Sequence, residues 1–309
     1  MADGIVLVRS PDGSRRAGAP DSTRVPGLVT PVRRLFAAGR ALSLDVAVGA
    51  VAGGAMASHV TGDELPWTWW PVLAASVWAA YTADHLADAR RSGDRCRAHR
   101  HRLHRDRAGA LAIALTTVTA AALALALATL PADALAVGTA LVVSVGVHVV
   151  LAQRERGPLV PKEVAAAGIY AAGLWSIPIV VADHPPAAVG GLVTLHAVAA
   201  FQNLGVNAWF ELEQDRADRV RSLARSLGRP ALGRLLSVVA VVGAAVGVAG
   251  AVSARSPSVA AAFAILAALQ VVPVAILLAA RVTGRNERYR VLGDLALFAP
   301  LIVLAWAPP

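Results

Sequence analysis

The chain has 309 residues, of which 56% are hydrophobic and only 16% are charged, and its mean hydropathy is +0.58. Because a soluble domain carries about a quarter of its residues as charged side chains, this composition excludes a water-soluble globule. The 29 basic residues outnumber the 20 acidic ones, which gives a formal net charge of +9. A single cysteine excludes an intrachain disulfide and a thiolate zinc cluster within the monomer.

The first 40 residues differ from the rest of the chain, because they are polar and rich in Gly, Pro, Ser and Arg. They contain no apolar core of the kind found in a signal peptide. We therefore predict a disordered cytosolic tail at 1–40 and a transmembrane domain at 41–309.

Nine apolar stretches follow, each close to the roughly 20 residues that a helix needs to cross a bilayer. They lie at 41–60, 66–86, 109–130, 133–152, 163–182, 187–208, 231–252, 257–280 and 291–307. Small residues are frequent throughout them, which lets helices approach one another closely in lipid. The sequence predicts an all-α, polytopic membrane protein with nine transmembrane helices.

The basic residues indicate how these helices are oriented. The tail and the segments 87–108, 153–162, 209–230 and 281–290 hold 27 of the 29 basic residues, whereas the alternate connections hold only Arg255. Positive residues accumulate on the cytoplasmic side of a membrane. We therefore predict a multi-pass protein of the cell membrane with a cytoplasmic N-terminus and an external C-terminus.

Carboxylates recur at the predicted cytoplasmic ends of the second and sixth spans. Asp84 and Asp88 are four residues apart, so both lie on one face of a helix. In the sixth span a polar stripe runs every four residues and ends near Asp218; it consists of Asn203, Asn207, Glu211 and Asp215. Stacked carboxylates are best tolerated around a cation, and Mg²⁺ binds such oxygens together with substrate phosphates. These two patterns predict a site for Mg²⁺ and a diphosphate.

Other charged groups lie near the same membrane face. Asp45 and Asp294 fall within predicted spans, where carboxylates are functional hypotheses by default; Asp294 could pair with Arg290. The basic segment after the second span can set the orientation of the protein in the membrane and bind anionic lipid headgroups. Its Arg90 and Arg91 could also bind a diphosphate. We predict no nucleic-acid binding, because one tethered loop provides no platform for base stacking.

Over roughly 35–307 the chain resembles the UbiA superfamily of intramembrane prenyltransferases, whose nine helices carry two Asp-rich motifs in spans two and six. Asp84 and Asp88 match the aspartates of the first motif, N-x3-D-x3-D, while Glu211 and Asp215 match the second, D-x3-D. The segment entering the fifth span is also similar, since a basic residue near Lys162 contacts the diphosphate in that family. The stretches that resemble the family's continuation are Arg216, Ser222-Leu223 and Leu227-Gly228.

This resemblance implies a UbiA-like helical bundle that binds a prenyl diphosphate through Mg²⁺ and transfers the prenyl group to an aromatic or other lipid-soluble acceptor. The catalytic residues that it implies are Asp84, Asp88, Glu211, Asp215 and Lys162, the first four of them as metal ligands. We predict substrate-binding roles for Arg90, Arg91, Asn203, Asn207, Tyr170 and Asp218.

Two positions depart from the family pattern. The leading Asn of the first motif falls at Ala80, and Glu211 replaces the first Asp of the second motif. A longer carboxylate still reaches a metal, whereas Ala80 removes one ligand oxygen unless Asn203 or Asn207 supplies it. The alternatives left open are a terpene cyclase on the same scaffold, a membrane transporter, and a non-enzymatic scaffold.

Overall fold

A computed structural model describes residues 38–62, 64–92, 99–152, 160–217 and 221–306. Within these ranges all regular structure is helical, which confirms the predicted class. The segment Ala38–Pro309 forms one unit. The predicted tail at 1–40 lies almost wholly outside the described residues.

Thirteen helices are numbered here in chain order. Their bounds are α1 Leu44–Thr61, α2 Trp69–Ser92, α3 His99–Asp106, α4 Ala108–Thr129, α5 Ala132–Ala152, α6 Lys162–Val181, α7 Val189–Ala217, α8 Leu223–Leu227, α9 Arg229–Ser253, α10 Pro257–Leu278, α11 Ala280–Thr283, α12 Arg288–Ala296 and α13 Leu301–Trp306. A short 3₁₀ helix, Arg285–Glu287, precedes α12.

Seven of these helices are long and apolar enough to cross a membrane, namely α1, α4, α5, α6, α7, α9 and α10. Large apolar side chains also cover much of the outer surface. Ile113 on α4, Val142 on α5 and Val241 on α9 are 71%, 69% and 70% exposed. Soluble proteins rarely expose so much apolar surface to water. In a membrane this surface would contact lipid, so these helices indicate a membrane protein.

The helices that carry the predicted motifs run further than their apolar stretches. The second stretch was predicted to end at 86, but α2 continues to Ser92; the sixth was predicted to end at 208, but α7 continues to Ala217. Polar residues end an apolar stretch without ending a helix, because neither segment contains a helix-breaking proline. The carboxylates of both motifs therefore lie within regular helices.

The ninth apolar stretch does not form one continuous helix. It was predicted to span 291–307, but α12 ends at Ala296 and α13 begins at Leu301. Pro300 lies in the break, where it has no N–H to donate to a preceding carbonyl. The chain between the two helices is held by turns with i→i−3 hydrogen bonds, such as Phe298 N–H to the Leu295 carbonyl.

Two helices form the centre of the packing. The first, α1, contacts α2, α6, α10, α12 and α13, and the second, α7, contacts α6, α9, α10 and α12. A polar link joins α7 to α10, because Gln202 Nε2 donates to Gln270 Oε1 at 2.8 Å and both side chains are fully buried. Hydrogen bonds of this kind stabilise helix pairs in lipid.

Small residues let α9 and α10 pack closely. A Cβ atom added at Gly247 would lie 2.6 Å from Ala267 Cβ and 3.0 Å from its Cα atom. One turn away on either side, Gly243 faces Gln270 and Gly250 faces Phe263. This spacing of small residues is typical of close helix crossings in membranes.

We therefore expect Gly247→Ala to destabilise the protein by about 1–3 kcal/mol, the usual effect of overpacking a tight contact. The α10 backbone at Ala267 cannot move aside as a flexible side chain could. Gly146→Ala on α5 is the matched control, since nothing lies within 4 Å of its added Cβ. Thermal unfolding in detergent checks both variants; an equal melting temperature for the two would contradict the close crossing.

Candidate functional site

The first predicted pair lies on α2. Asp84 and Asp88 are one turn apart, and both are half-buried. One turn before Asp84, the hydroxyl of Tyr81 lies within electrostatic reach of Asp84 and of two further carboxylates, Asp45 and Asp294. The first motif therefore lies beside acidic residues contributed by α1 and α12.

Those two acidic residues form a linked group between α1 and α12. The carboxyl groups of Asp45 and Asp294 lie within electrostatic reach of each other. Arg40 reaches both of them, with its Nε 3.6 Å from Asp45 Oδ2 and its Nη2 3.7 Å from Asp294 Oδ2. Asp294 thus forms an ion pair with Arg40, and the charge of Arg290, which is itself paired with Glu211, also acts on it.

Glu211 on α7 is the partner of Arg290. The guanidinium of Arg290 donates to Glu211 Oε1, and both side chains are largely buried, 18% and 11% exposed. The Tyr289 hydroxyl donates to the same oxygen at 2.9 Å. A carboxylate at this position is therefore already neutralised by protein groups.

Aromatic contacts hold this arrangement in place. The Phe210 and Tyr289 rings are stacked, with centroids 4.3 Å apart and planes 11° from parallel. On the adjoining turn, Arg229 Nε donates to the Trp209 carbonyl at 2.9 Å, and Trp209 Nε1 donates to the Arg229 carbonyl at 3.1 Å. These two hydrogen bonds join the first residue of α9 to α7, two residues before Glu211.

We call the resulting group the polar cluster. Its members come from α1, α2, α7 and α12 and from the residues that precede α1. They are Arg40, Asp45, Tyr81, Asp84, Glu211, Tyr289, Arg290 and Asp294. These contacts bring the C-terminal parts of α2 and α7 to the same end of the bundle as the N-terminal ends of α1 and α12.

The rest of the α7 stripe occupies several environments. Asp215 is half-buried one turn beyond Glu211, and Asn203 is half-buried deeper in the bundle. The amide oxygen of Asn207 is buried and accepts no hydrogen bond from a described residue. Glu213, on the other face, is exposed and pairs with Arg216 at 3.1 Å.

Tyr170 on α6 points toward the polar cluster. Its hydroxyl is buried, has no hydrogen-bond partner among the described residues, and lies within electrostatic reach of Tyr81 and Asp294. Its ring packs against His196 at a centroid distance of 6.1 Å. The predicted substrate-binding role of Tyr170 stays a prediction.

No described contact joins Lys162 or Arg90, two of the predicted basic residues, to a member of the polar cluster. Lys162 is half-buried at the start of α6, and its charge acts on His148 of α5. Arg90 is exposed near the end of α2. The side chain of Arg91 and all of Asp218 lie outside the described residues.

Glu163, next to Lys162, was not singled out from the sequence but has a defined role. It is 5% exposed, and its Oε1 accepts a hydrogen bond from the Leu223 N–H at 2.8 Å. Leu223 begins α8, the short helix that follows the second motif. Glu163 therefore caps α8 from a helix 60 residues away in sequence.

We expect Glu163→Ala to loosen α8, because a lost cap costs about 1 kcal/mol and the Leu223 N–H is then left without its acceptor. Hydrogen exchange of 221–228 should become faster while α9 stays protected. Glu213→Ala removes an exposed carboxylate and is the control. Unchanged exchange in Glu163→Ala would mean that this bond does not order α8.

Four members of the cluster were not predicted as site residues: Arg40, Tyr81, Tyr289 and Arg290. Tyr81 lies inside the second apolar stretch, whereas the other three lie just outside an apolar stretch, where basic and aromatic residues are usually membrane anchors. Only their contacts with Asp45, Asp294 and Glu211 distinguish them from such anchors. These three lie at the predicted cytoplasmic ends of spans one and nine, on the same side of the membrane as the two motifs. This common position is the sequence signal that could have identified them as site residues.

The carboxylates of both motifs are of the kind that binds Mg²⁺. Mg²⁺ is usually held by one or two carboxylates together with substrate phosphates, and Asp84 and Asp88 are two carboxylates on one half-buried face. Glu211 Oε1 is bound by Arg290 and Tyr289. The described ranges contain no group of three or more His, Cys, Asp or Glu side chains suited to hold an ion alone. An ion here would need further oxygens, such as those of a phosphate.

No protein-family model, curated protein or solved structure matches this chain.

Proposed function

We propose that the protein is a membrane-embedded enzyme that ionises a prenyl diphosphate and transfers the prenyl group to a lipid-soluble or aromatic acceptor. The observation that carries this proposal is that α2 and α7 both carry half-buried carboxylates at one end of an apolar bundle, connected through Tyr81, Asp294 and Arg290. Carboxylates are costly near lipid, and they are usually retained there for function. The resemblance to the UbiA superfamily supports the same chemistry.

The proposed architecture has nine crossings. Seven are the apolar helices, an eighth is α2, and the ninth is the broken pair α12–α13, which together cover 288–306. A broken helix is tolerated at membrane depth where it is covered by protein or lines a cavity. With nine crossings the proposed arrangement would be the UbiA-like bundle that the resemblance implies.

The orientation follows from the basic residues, so we expect the N-terminus in the cytoplasm and the C-terminus outside. The large excess of arginine in one set of connections is the physical reason. A reporter that is active only outside the cytoplasm, fused after Pro309, should be active. A fusion within 93–98, in the basic segment after α2, is the control and should be inactive. The reverse pattern would contradict the orientation.

In the proposed reaction the bond between prenyl C1 and the diphosphate oxygen breaks, and the diphosphate leaves with the electron pair. Asp84 and Asp88, with Asp215 and Glu211, would hold Mg²⁺, which when bound neutralises charge on the leaving diphosphate. The acceptor then forms its bond to C1 and loses a proton. The apolar interior keeps water away from the allylic cation.

Positive side chains at the same membrane face complete the proposed site. Lys162 and Arg90 form no ion pair with another described residue, so both are available to a diphosphate. We propose that Asn203, Asn207 and Tyr170 contact the prenyl chain or the acceptor, because all three are half-buried inside the bundle. Arg91 and Asp218 are proposed for diphosphate contact from their sequence positions.

Incubating the purified protein with Mg²⁺ and a panel of prenyl diphosphates, with and without aromatic acceptors, tests this function. Pyrophosphate release that requires an acceptor supports transfer. Release without any acceptor favours the cyclase, for which the Tyr81 and Tyr170 rings could stabilise a cation. If no substrate releases pyrophosphate, both enzymatic proposals are wrong. The transporter and the non-enzymatic scaffold are then the remaining alternatives.

A further inference from the structure

A small pocket lies inside the bundle between α7, α10 and the α12–α13 break. Its volume is about 20 Å³, and it is partly open on one side. This is room for a single oxygen atom or water molecule, which needs about 10–15 Å³ by this measure. Most of its wall is apolar, and its polar side chains are His196 and Asn203.

Two prolines remove helical hydrogen bonds at this pocket. Pro273 lies inside α10 and has no N–H for the carbonyl of Leu269, one turn earlier. In the α12–α13 break the bonds run from residue i to i−3, so Pro300 likewise has none for Leu297. Both Leu269 and Leu297 line the pocket. Backbone irregularities at membrane depth are expected where they border a cavity.

The pocket also contains a hydrogen-bond donor with a fixed position. His196 is 3% exposed, and its Nδ1 accepts a hydrogen bond from Trp175 Nε1 at 3.2 Å. A ring that accepts at Nδ1 is neutral and carries its proton on Nε2. None of the described residues accepts that proton in a hydrogen bond. His196 lines the pocket, so its Nε2–H is available to an occupant.

Asn203 closes the same pocket against α12. A Cβ at Gly293 would overlap the Asn203 side-chain oxygen, so a larger residue there would displace the amide. The Asn203 amide lies beside the same pocket that the α12–α13 break borders. The pocket is therefore lined by polar side chains of α7 and by Leu269 and Leu297, whose carbonyls receive no helical hydrogen bond from Pro273 and Pro300.

We propose that this pocket binds the neutral oxygen of a lipid-soluble ketone or alcohol, with His196 Nε2–H as the donor to that oxygen. No cationic side chain lines the space, which disfavours an anion. The proton on Nε2 prevents this nitrogen from binding a metal ion. The apolar wall suits the hydrocarbon part of such a ligand, which enters through the open side.

The proposed donor lies away from the Glu211 ion pair. His196 and Glu211 are 15 residues apart on one continuous helix, which corresponds to about 22 Å along its axis. Labelling by a ketone does not require prenyl transfer, so a negative result in either test leaves the other standing.

Benzophenone, a lipid-soluble ketone that attaches to nearby C–H groups under ultraviolet light, is a direct probe. We expect irradiation of the detergent-solubilised protein to label peptides of α7, α10 or 293–300. Excess fluorenone, which has a carbonyl, should suppress this labelling; fluorene, the same ring system without oxygen, should not. His196→Phe should weaken labelling about threefold to tenfold, the effect of one lost hydrogen bond, and His196→Gln, which keeps a donor, should retain most of it.

Equal suppression by fluorene and fluorenone would overturn the proposal, because the site would then not recognise an oxygen. Labelling concentrated on the lipid-exposed helices α4 and α5 would do the same and would leave the pocket to a structural water. Thermal unfolding verifies that each variant is folded. The comparison of fluorenone with fluorene uses the unaltered protein, so it decides the matter even if His196→Phe does not fold.

Discussion

Asp84→Ala and Asp215→Ala should each lower Mg²⁺-dependent pyrophosphate release by about 10²–10³-fold, the scale seen when one group that stabilises transition-state charge is removed. Both carboxylates are half-buried on the faces that carry the two motifs. Initial rates at saturating prenyl diphosphate measure the effect, and raising the Mg²⁺ concentration should recover part of it.

Glu213→Gln provides the matched control, because Glu213 lies between Glu211 and Asp215 on α7 yet is exposed and pairs only with arginines. An exposed ion pair contributes little, so this variant should keep its activity. If Asp84→Ala and Asp215→Ala remain as active as Glu213→Gln, the carboxylates are solvated helix ends and the proposed site is wrong.

The second large effect is expected at the ion pair between α7 and α12. Arg290→Met should destabilise the protein by about 3–5 kcal/mol, because it leaves the Glu211 carboxylate largely buried without its cation. The double variant Arg290→Met/Glu211→Gln removes both charges and should recover much of that loss. Arg216→Met, at an exposed pair, is the control. Melting temperatures of these three variants, of the single variant Glu211→Gln and of the parent measure the coupling.

The same variants separate a structural role of Glu211 from a catalytic one. If Glu211 only anchors α12, the double variant should release pyrophosphate about as fast as the parent once it is folded. If Glu211 binds Mg²⁺, activity should stay low although stability returns. Additive effects of the two substitutions on stability would contradict the ion pair itself.

The sequence by itself determined the class of the protein and the position of most helices. Long apolar stretches leave no soluble alternative, because a backbone in lipid must satisfy its own hydrogen bonds, and a helix does so locally. The four-residue spacing of Asp84 with Asp88, and of Asn203 through Asp215, also follows from the chain alone. Local geometry was sufficient for each of these features.

The partners of those side chains were decided only by tertiary structure. Glu211 meets Arg290 across 79 residues, and Glu163 caps α8 across 60. Asp45 and Asp294 join the first and last parts of the bundle through Arg40. Such pairs depend on which helices pack together and at what rotation, and neither quantity is encoded in the spacing of residues along one helix. For the same reason Pro300 was visible in the sequence, whereas the pocket beside it exists only because α7 and α10 lie against the break.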